Sequence, residues 1–355
     1  MNRRAIARNM IGTVPRTSPV SQHMRYLITG GAGFIGSHLA DALLARGDSV
    51  VALDDISTGS LSNIEHLTQH PRFRIQEGSI LDDGLVSMLT GQVDAVVHLA
   101  AAVGVKLIVE RPLESLMTNI KGTEIVLSAA SRAGCKVLVT STSEIYGKNA
   151  DGPLPEDADR ILGSPLKSRW SYSTAKAIDE ILAYTYWRER GMPAVILRLF
   201  NCVGPRQTGE YGMVVPRFVR RALAGEDIPV YGNGEQQRCF CHVLDTVDAL
   251  VGLLDHPAAV GEVFNVGAPN EITVNQLAER VIELTASSSR IVRIPYDEAY
   301  EKGFEDMQRR VPDLSRIDAL LGWQPSRDLD EILTDVIQFE RSRRATPKMA
   351  QGRVG

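Results

Sequence analysis

The run Gly30-Gly31-Ala32-Gly33-Phe34-Ile35-Gly36 restricts the fold of this chain more than any other feature. It follows the short apolar segment 25–29. It leads into apolar residues at Ile35, Leu39, Leu43 and Leu44, a helical spacing. A glycine at 30 permits a tight turn, one at 33 removes a side chain that would block a phosphate, and one at 36 lets the helix pack on the strand. The helix N-terminus then offers unpaired amides and the positive end of its dipole to an anion. The next predicted strand, 49–53, ends in Asp54, 18 residues after Gly36. An acid there accepts hydrogen bonds from a ribose and repels a 2′-phosphate, so the pattern predicts bound NAD rather than NADP.

Apolar segments 25–29, 49–53, 95–99, 136–140 and 194–199 alternate with helical patterns. Continuous apolar strands separated by helices imply a parallel sheet covered on both faces, an α/β fold of the doubly wound Rossmann type. After Asn201, Gly and Pro become frequent and a smaller lobe begins; 229–234 reads as a turn-rich segment. The expected organisation is an extension over 1–23 and a dinucleotide-binding domain over 24–200 with 236–266 returning to it. A C-terminal substrate-binding lobe follows, formed by 201–235 and 267–340, with a flexible tail over 341–355.

Charged residues make up 23% of the chain and the net charge is −4, which argues against nucleic acid as a partner. No run approaches about 20 uninterrupted apolar residues, so no membrane span is expected. The first 23 residues carry four Arg and no acid, but no apolar core of a signal segment. Four cysteines are too few and too scattered for a disulfide framework, and a reducing cytoplasm fits them. Cys239 and Cys241 are expected on alternating faces of one strand, not on a metal.

Tyr172 and Lys176, four apart on a predicted helix over 172–186, share one face. A neighbouring ammonium favours a phenolate, so this lysine is expected to lower the tyrosine from its usual value of about 10. The tyrosine then serves as base on a hydroxyl while hydride leaves the same carbon. Residues 140–147 (Thr-Ser-Thr-Ser-Glu-Ile-Tyr-Gly) follow a strand, where open α/β sheets bind ligands. Thr142 is placed to bond the reacting oxygen. Ser141 is expected to satisfy turn amides, and for Ser143 that role and a part in the site are equally open. Glu144 is a carboxylate suited to proton chemistry at the carbon beside a ketone.

These pieces resemble the extended short-chain dehydrogenases/reductases of the nucleotide-sugar epimerase/dehydratase group. The likeness covers about residues 25–333. It rests on Gly30–Gly36, Asp54, His98-Leu99-Ala100-Ala101, Asn119, residues 142–147, Tyr172/Lys176, residues 197–205 (LRLFNCVGP) and Leu320-Leu321-Gly322-Trp323. The resemblance implies cofactor contacts by Gly30, Gly33, Phe34, Ile35, Gly36, Asp54, Asp55, Ser57, Thr58, Gly59, Ser79, Ile80, Leu99, Ala100, Ala101 and Thr118, with Tyr172 and Lys176. It implies substrate contacts by Glu144, Asn201, Val215, Tyr231 and Arg238. Arg310 is a third expected donor to the diphosphate. His98 is expected to be structural.

Reactions of this group share oxidation at sugar C4. Thr142-Ser143-Glu144 is similar to UDP-glucuronate decarboxylases and to GDP-mannose dehydratases, while dTDP-glucose dehydratases carry Asp at the place of Ser143. Residues 234–243 (GEQQRCFCHV) resemble the decarboxylases, and so does Arg169-Trp170. Ser79-Ile80, Met117 and residues 102–105 depart from the pattern. The resemblance therefore favours UDP-glucuronate decarboxylation and leaves 4-epimerisation and 4,6-dehydration open. A non-catalytic NAD-binding regulator on the same fold would often lack the Tyr or the Lys. The helices around 112–132 and 172–188 form a dimer interface in similar proteins, so a homodimer is expected.

Overall fold

The computed structural model describes residues 23–102, 111–167, 170–209, 213–295, 298 and 307–345. The features placed above on 1–22, 103–105, Arg169 and 346–355 lie outside the described residues. In chain order the strands are β1 (Arg25–Thr29), β2 (Ser49–Asp54), β3 (Phe73–Glu77), β4 (Ala95–His98), β5 (Lys136–Thr142), β6 (Ala194–Leu199) and β7 (Cys202–Val203). They continue with β8 (Ile228–Tyr231), β9 (Gln237–Cys239), β10 (Cys241–His242), β11 (Val263–Val266), β12 (Glu271–Thr273) and β13 (Ile291–Ile294). The α-helices are α1 (Phe34–Ala45), α2 (Asp83–Thr90), α3 (Pro112–Ala133), α4 (Ser171–Arg190) and α5 (Val214–Ala224). After these come α6 (Val243–Asp255), α7 (Val274–Thr285), α8 (Ser315–Leu321) and α9 (Leu329–Ala345).

Seven strands pair in parallel in the order β11-β6-β5-β4-β1-β2-β3. Alternate residues of each strand face opposite sides. Tyr26 and Ile28 enter one core with Leu39 and Leu43 of α1 and Leu250 of α6. Leu27 enters the other with Leu89 of α2, Val126 of α3 and Ala183 of α4. The fold is thus a Rossmann-type sheet with helices on both faces. Strand order reverses between β1 and β4, and a ligand crevice opens at the C-terminal ends of strands at such a switch.

A third core holds the smaller lobe, with Phe218 and Val219 of α5, Leu277 and Val281 of α7, Ile332 and Val336 of α9, and Ile228 of β8. The lobe boundaries are more interleaved than expected. β9 pairs with β12 in the lobe, although 236–266 was assigned to the first domain. Conversely, α8 was assigned to the lobe, yet its Ile317 is enclosed in the core of the main sheet. Trp323 just after it donates from Nε1 to the carbonyl of Asp245 in α6. The supposed turn at 229–234 contains β8, paired in parallel with β13. Helix α9 continues to Ala345, into the presumed tail. Cys239 and Cys241 do not share one strand, because β9 pairs with β12 while β10 pairs with β7 across Cys202.

Candidate active site

The glycine turn lies at the switch point. Gly30 has φ of 73°, and a Cβ there would sit 2.9 Å from the backbone nitrogen of Ala100, in the segment leaving β4. A Cβ on Gly36 would fall 2.2 Å from the carbonyl oxygen of Gly30. Helix and turn therefore touch backbone to backbone. Helix α1 is capped by Gly33, with no side-chain cap and no acid in its first turn. Its amides and positive end are left for an anion from outside the chain, which fits the pyrophosphate of NAD.

Asp54 ends β2 and is buried. Its oxygens accept from the backbone amides of Ala32 (2.9 Å) and Ile56 (2.8 Å). Burial raises its pKa and these amides oppose the rise. An ionised carboxylate has about four acceptor positions, so it can still meet a ribose. Asp55 turns back on its own loop, accepting from the amide and hydroxyl of Ser57, next to Thr58 and Gly59. Ser79 Oγ accepts from the amide of Leu81, and Ile80 fills the space that a Cβ on Gly122 of α3 would need. Ala102 is clasped by Asn119 of α3, neighbour of Thr118, which accepts from its amide and donates to its carbonyl. Leu99, Ala100 and Ala101 thus run along the floor beside Gly30.

The catalytic candidates come from three elements. Thr142 ends β5 and caps the 3-10 turn that follows, accepting from the amide of Glu144 at 3.2 Å. Tyr172 and Lys176 are buried on α4. Arg310 arrives from the C-terminal part of the chain. It donates to Ser143 Oγ and Asn201 Oδ1, both at 3.3 Å, and stands 3.7 Å from Glu144. Arg310 thus faces the Glu144 carboxylate, and Ser143 is drawn into the site as an acceptor for Arg310.

Electrostatics at Tyr172 also differ from the spacing argument. Burial, then the charges of Glu144 and Asp179, hold the phenol above its usual range. The Lys176 ammonium pairs with Asp179 at 3.0 Å, so much of its field is offset before it reaches the phenol. Asp179 escaped attention in the sequence, although a place three after Lys176 on the same helix brings the two together.

Helix α4 is anchored to β6 by another buried pair. Arg198 donates to both oxygens of Glu180 (2.9 and 2.8 Å) and to Tyr146 Oη (2.9 Å). Tyr146 Oη in turn donates to Asn265 of β11. The loop after β7 is fastened to α1 by Arg206–Asp41 (2.8 Å) and by His38 donating to the carbonyl of Pro205.

The other expected substrate residues come from α5, β8, β9 and the segment between β6 and β7. Asn201 joins the catalytic group through Arg310 and donates to the carbonyl of Cys239. Arg238 is buried and donates to the carbonyl of Gln237. Tyr231 carries the Arg217 guanidinium 4.6 Å above its ring, an arginine that nothing in the sequence singled out. Val215 is enclosed in the lobe core, so its side chain packs instead of lining a site.

Residues 27–336 match the family described as GDP-mannose 4,6 dehydratase. A UDP-N-acetyl-alpha-D-glucosaminuronate decarboxylase of Bacillus cytotoxicus is 42% identical over 318 residues, 89% of this chain and 98% of that one. UDP-glucuronic acid decarboxylase 1 of Danio rerio is 36% identical over 315 residues, 89% of this chain and 72% of the other. A solved UDP-glucuronic acid 4-epimerase from Bacillus cereus, in complex with UDP-glucuronic acid and NAD, superposes with a TM-score of 0.82. It is 28% identical and covers 90% of this chain and 100% of that one. With the glycine turn at the switch point and Tyr172 and Lys176 buried on one helix, the chain belongs to the GDP-mannose 4,6 dehydratase family of extended short-chain dehydrogenases/reductases.

Proposed function

We propose that the protein is an NAD-dependent enzyme that oxidises C4 of UDP-glucuronate and releases its carboxylate as CO2. The observation carrying this reading is the meeting of Glu144 and Arg310, 3.7 Å apart, where the Glu144 charge also reaches Tyr172. A C4-oxidising enzyme needs only the tyrosine and lysine. A uronate brings a carboxylate one carbon away, and a guanidinium is the side chain that grips it bidentately. The names of the two decarboxylases above support the same reading.

The glycine turn at the start of α1 and Asp54 would hold NAD, which would supply the acceptor and later the donor for the C4 hydride. Tyr172 accepts the C4 hydroxyl proton and returns it at the end. Thr142 holds the C4 oxygen. Arg310, held by Ser143 and Asn201, orients the carboxylate, which then lies β to the C4 ketone. The C–C bond breaks, its electrons become an enolate, and Glu144 governs delivery of a proton to C5.

Incubation with UDP-glucuronate and, separately, UDP-N-acetylglucosaminuronate tests the reading by mass spectrometry. A nucleotide pentose and CO2 are expected from UDP-glucuronate. A product of unchanged mass with inverted C4 would make the enzyme an epimerase, and loss of water would make it a dehydratase. Glu144→Gln is expected to slow CO2 release by about 100-fold or more. An unchanged rate would remove Glu144 from the chemistry.

A homodimer is part of the same proposal. Leu113 (73% exposed) and Met117 on α3, with Ile181 (60% exposed) and Tyr184 on α4, leave an apolar face on two helices that pack together. A monomer by light scattering at micromolar concentration would rule it out. A cytoplasmic setting also belongs to this reading, since the cysteines are free thiols.

A further inference from the structure

Asp179 is fully buried, and the reaction outlined above makes no use of it. Its Oδ2 accepts from Lys176 Nζ at 3.0 Å. A carboxylate in such a place is costly unless neighbours stabilise its charge. Burial raises the pKa of Asp179, and Lys176 and then Thr123 on α3 act against that rise, although Oδ1 keeps no hydrogen bond of ordinary geometry among the described residues.

Thr123 ends a hydrogen-bonded row that begins at the cofactor floor. The amide of Ala100 donates to Thr29 Oγ1 (3.2 Å), at the end of β1 just before the glycine turn. Thr29 Oγ1 meets His98 Nδ1 (2.7 Å), and His98 Nε2 meets Thr123 Oγ1 (3.0 Å). Burial and Lys176 push His98 down to about 3, so the ring is neutral and one of its nitrogens donates while the other accepts. His98 is therefore more than a filler of its strand, since it links the cofactor floor to Thr123.

We propose that Asp179 is a positioning residue for the catalytic pair, fixing Lys176 in place and offsetting its positive charge beside Tyr172. The inference rests on Tyr172 being the base. The charged and titratable groups around the pair are Glu144 from the turn after β5, Lys176 and Glu180 on α4, and His98 from β4. Of the two carboxylates that raise Tyr172, Glu144 faces the substrate region and Arg310, whereas Asp179 faces only protein. Removing the charge of Asp179 while keeping its shape should favour the phenolate.

The experiment is a pH profile of kcat/KM on the NAD-loaded enzyme with UDP-glucuronate. In Asp179→Asn the acid limb is expected to move down by about one pH unit. Asp179→Glu, which restores the charge, should return the limb to its native position. An acid limb that stays in place in Asp179→Asn, with turnover merely reduced, would overturn the inference. If that variant does not fold, Asp179→Ser carries the same test. A readout without turnover is the tyrosinate absorbance of the NAD-loaded protein, with the same titration of Tyr172→Phe subtracted. The Tyr172 step should move to lower pH in the Asp179 variant, and an unmoved step overturns the proposal. Normal turnover in Tyr172→Phe would instead defeat the assignment of the base, a separate result.

Discussion

Tyr172→Phe is expected to lower kcat by about 10³-fold while leaving NAD binding and the fold intact, because only the proton acceptor is lost. Tyr172 is buried on α4, and its ring remains in the variant, so packing is nearly conserved. Burial, then Glu144 and Asp179, holds the phenol high, and positive charge brought beside it must lower it for use. The native enzyme should therefore gain activity with rising pH on its acid limb, as the phenolate form grows. Single-turnover absorbance of NADH on mixing with UDP-glucuronate reads the first oxidation directly. Retention of more than about a tenth of the native rate would show that another group takes the proton.

The largest effect on stability is expected at Arg198. Its guanidinium grips both oxygens of Glu180, and both side chains are only 10% exposed. Arg198→Met should destabilise the protein by about 3–5 kcal/mol, because it strands a buried carboxylate and frees Tyr146 from its partner. The double variant Arg198→Met/Glu180→Leu should recover much of that loss, since an apolar pair costs less there than a lone charge. Urea unfolding of the three proteins measures both quantities. A single variant within about 1 kcal/mol of native would mean that water reaches the pair. The pair joins β6 to the helix that carries Tyr172 and Lys176, so the single variant should also blunt turnover at temperatures well below unfolding.

Parts of the fold were legible because local rules and global packing agree. Strands such as β1 and β4 are buried on both faces and so are continuously apolar. The glycine turn announces itself because backbone must meet backbone there. β3 (FRIQE) was harder to see, being an edge strand with several half-exposed residues. β8 was hidden by Pro229 and the glycines after it, which mimic a loop, although Pro229 merely occupies a short two-stranded pair. The lobe boundaries failed for another reason. Ile317 returns to the main core from beyond α7, and no local signal says which of two cores an apolar residue will join.

Sequence alone determined the parallel α/β sheet, the anion site at α1 and the helical pairing of Tyr172 with Lys176. Each depends on residues within about one βα unit, whose spacing sets their geometry. Only the tertiary structure decided what surrounds that pair. Arg310 reaches Ser143 across 167 positions, and Thr29 reaches His98 across 69. Contacts over such separations depend on strand order and on where the two lobes meet, and neither is written in a local pattern. The same physics changed the electrostatic account of Tyr172. Spacing predicted a lysine that lowers the phenol. Burial, together with Glu144 and Asp179 folded in around it, holds it high until ligands arrive.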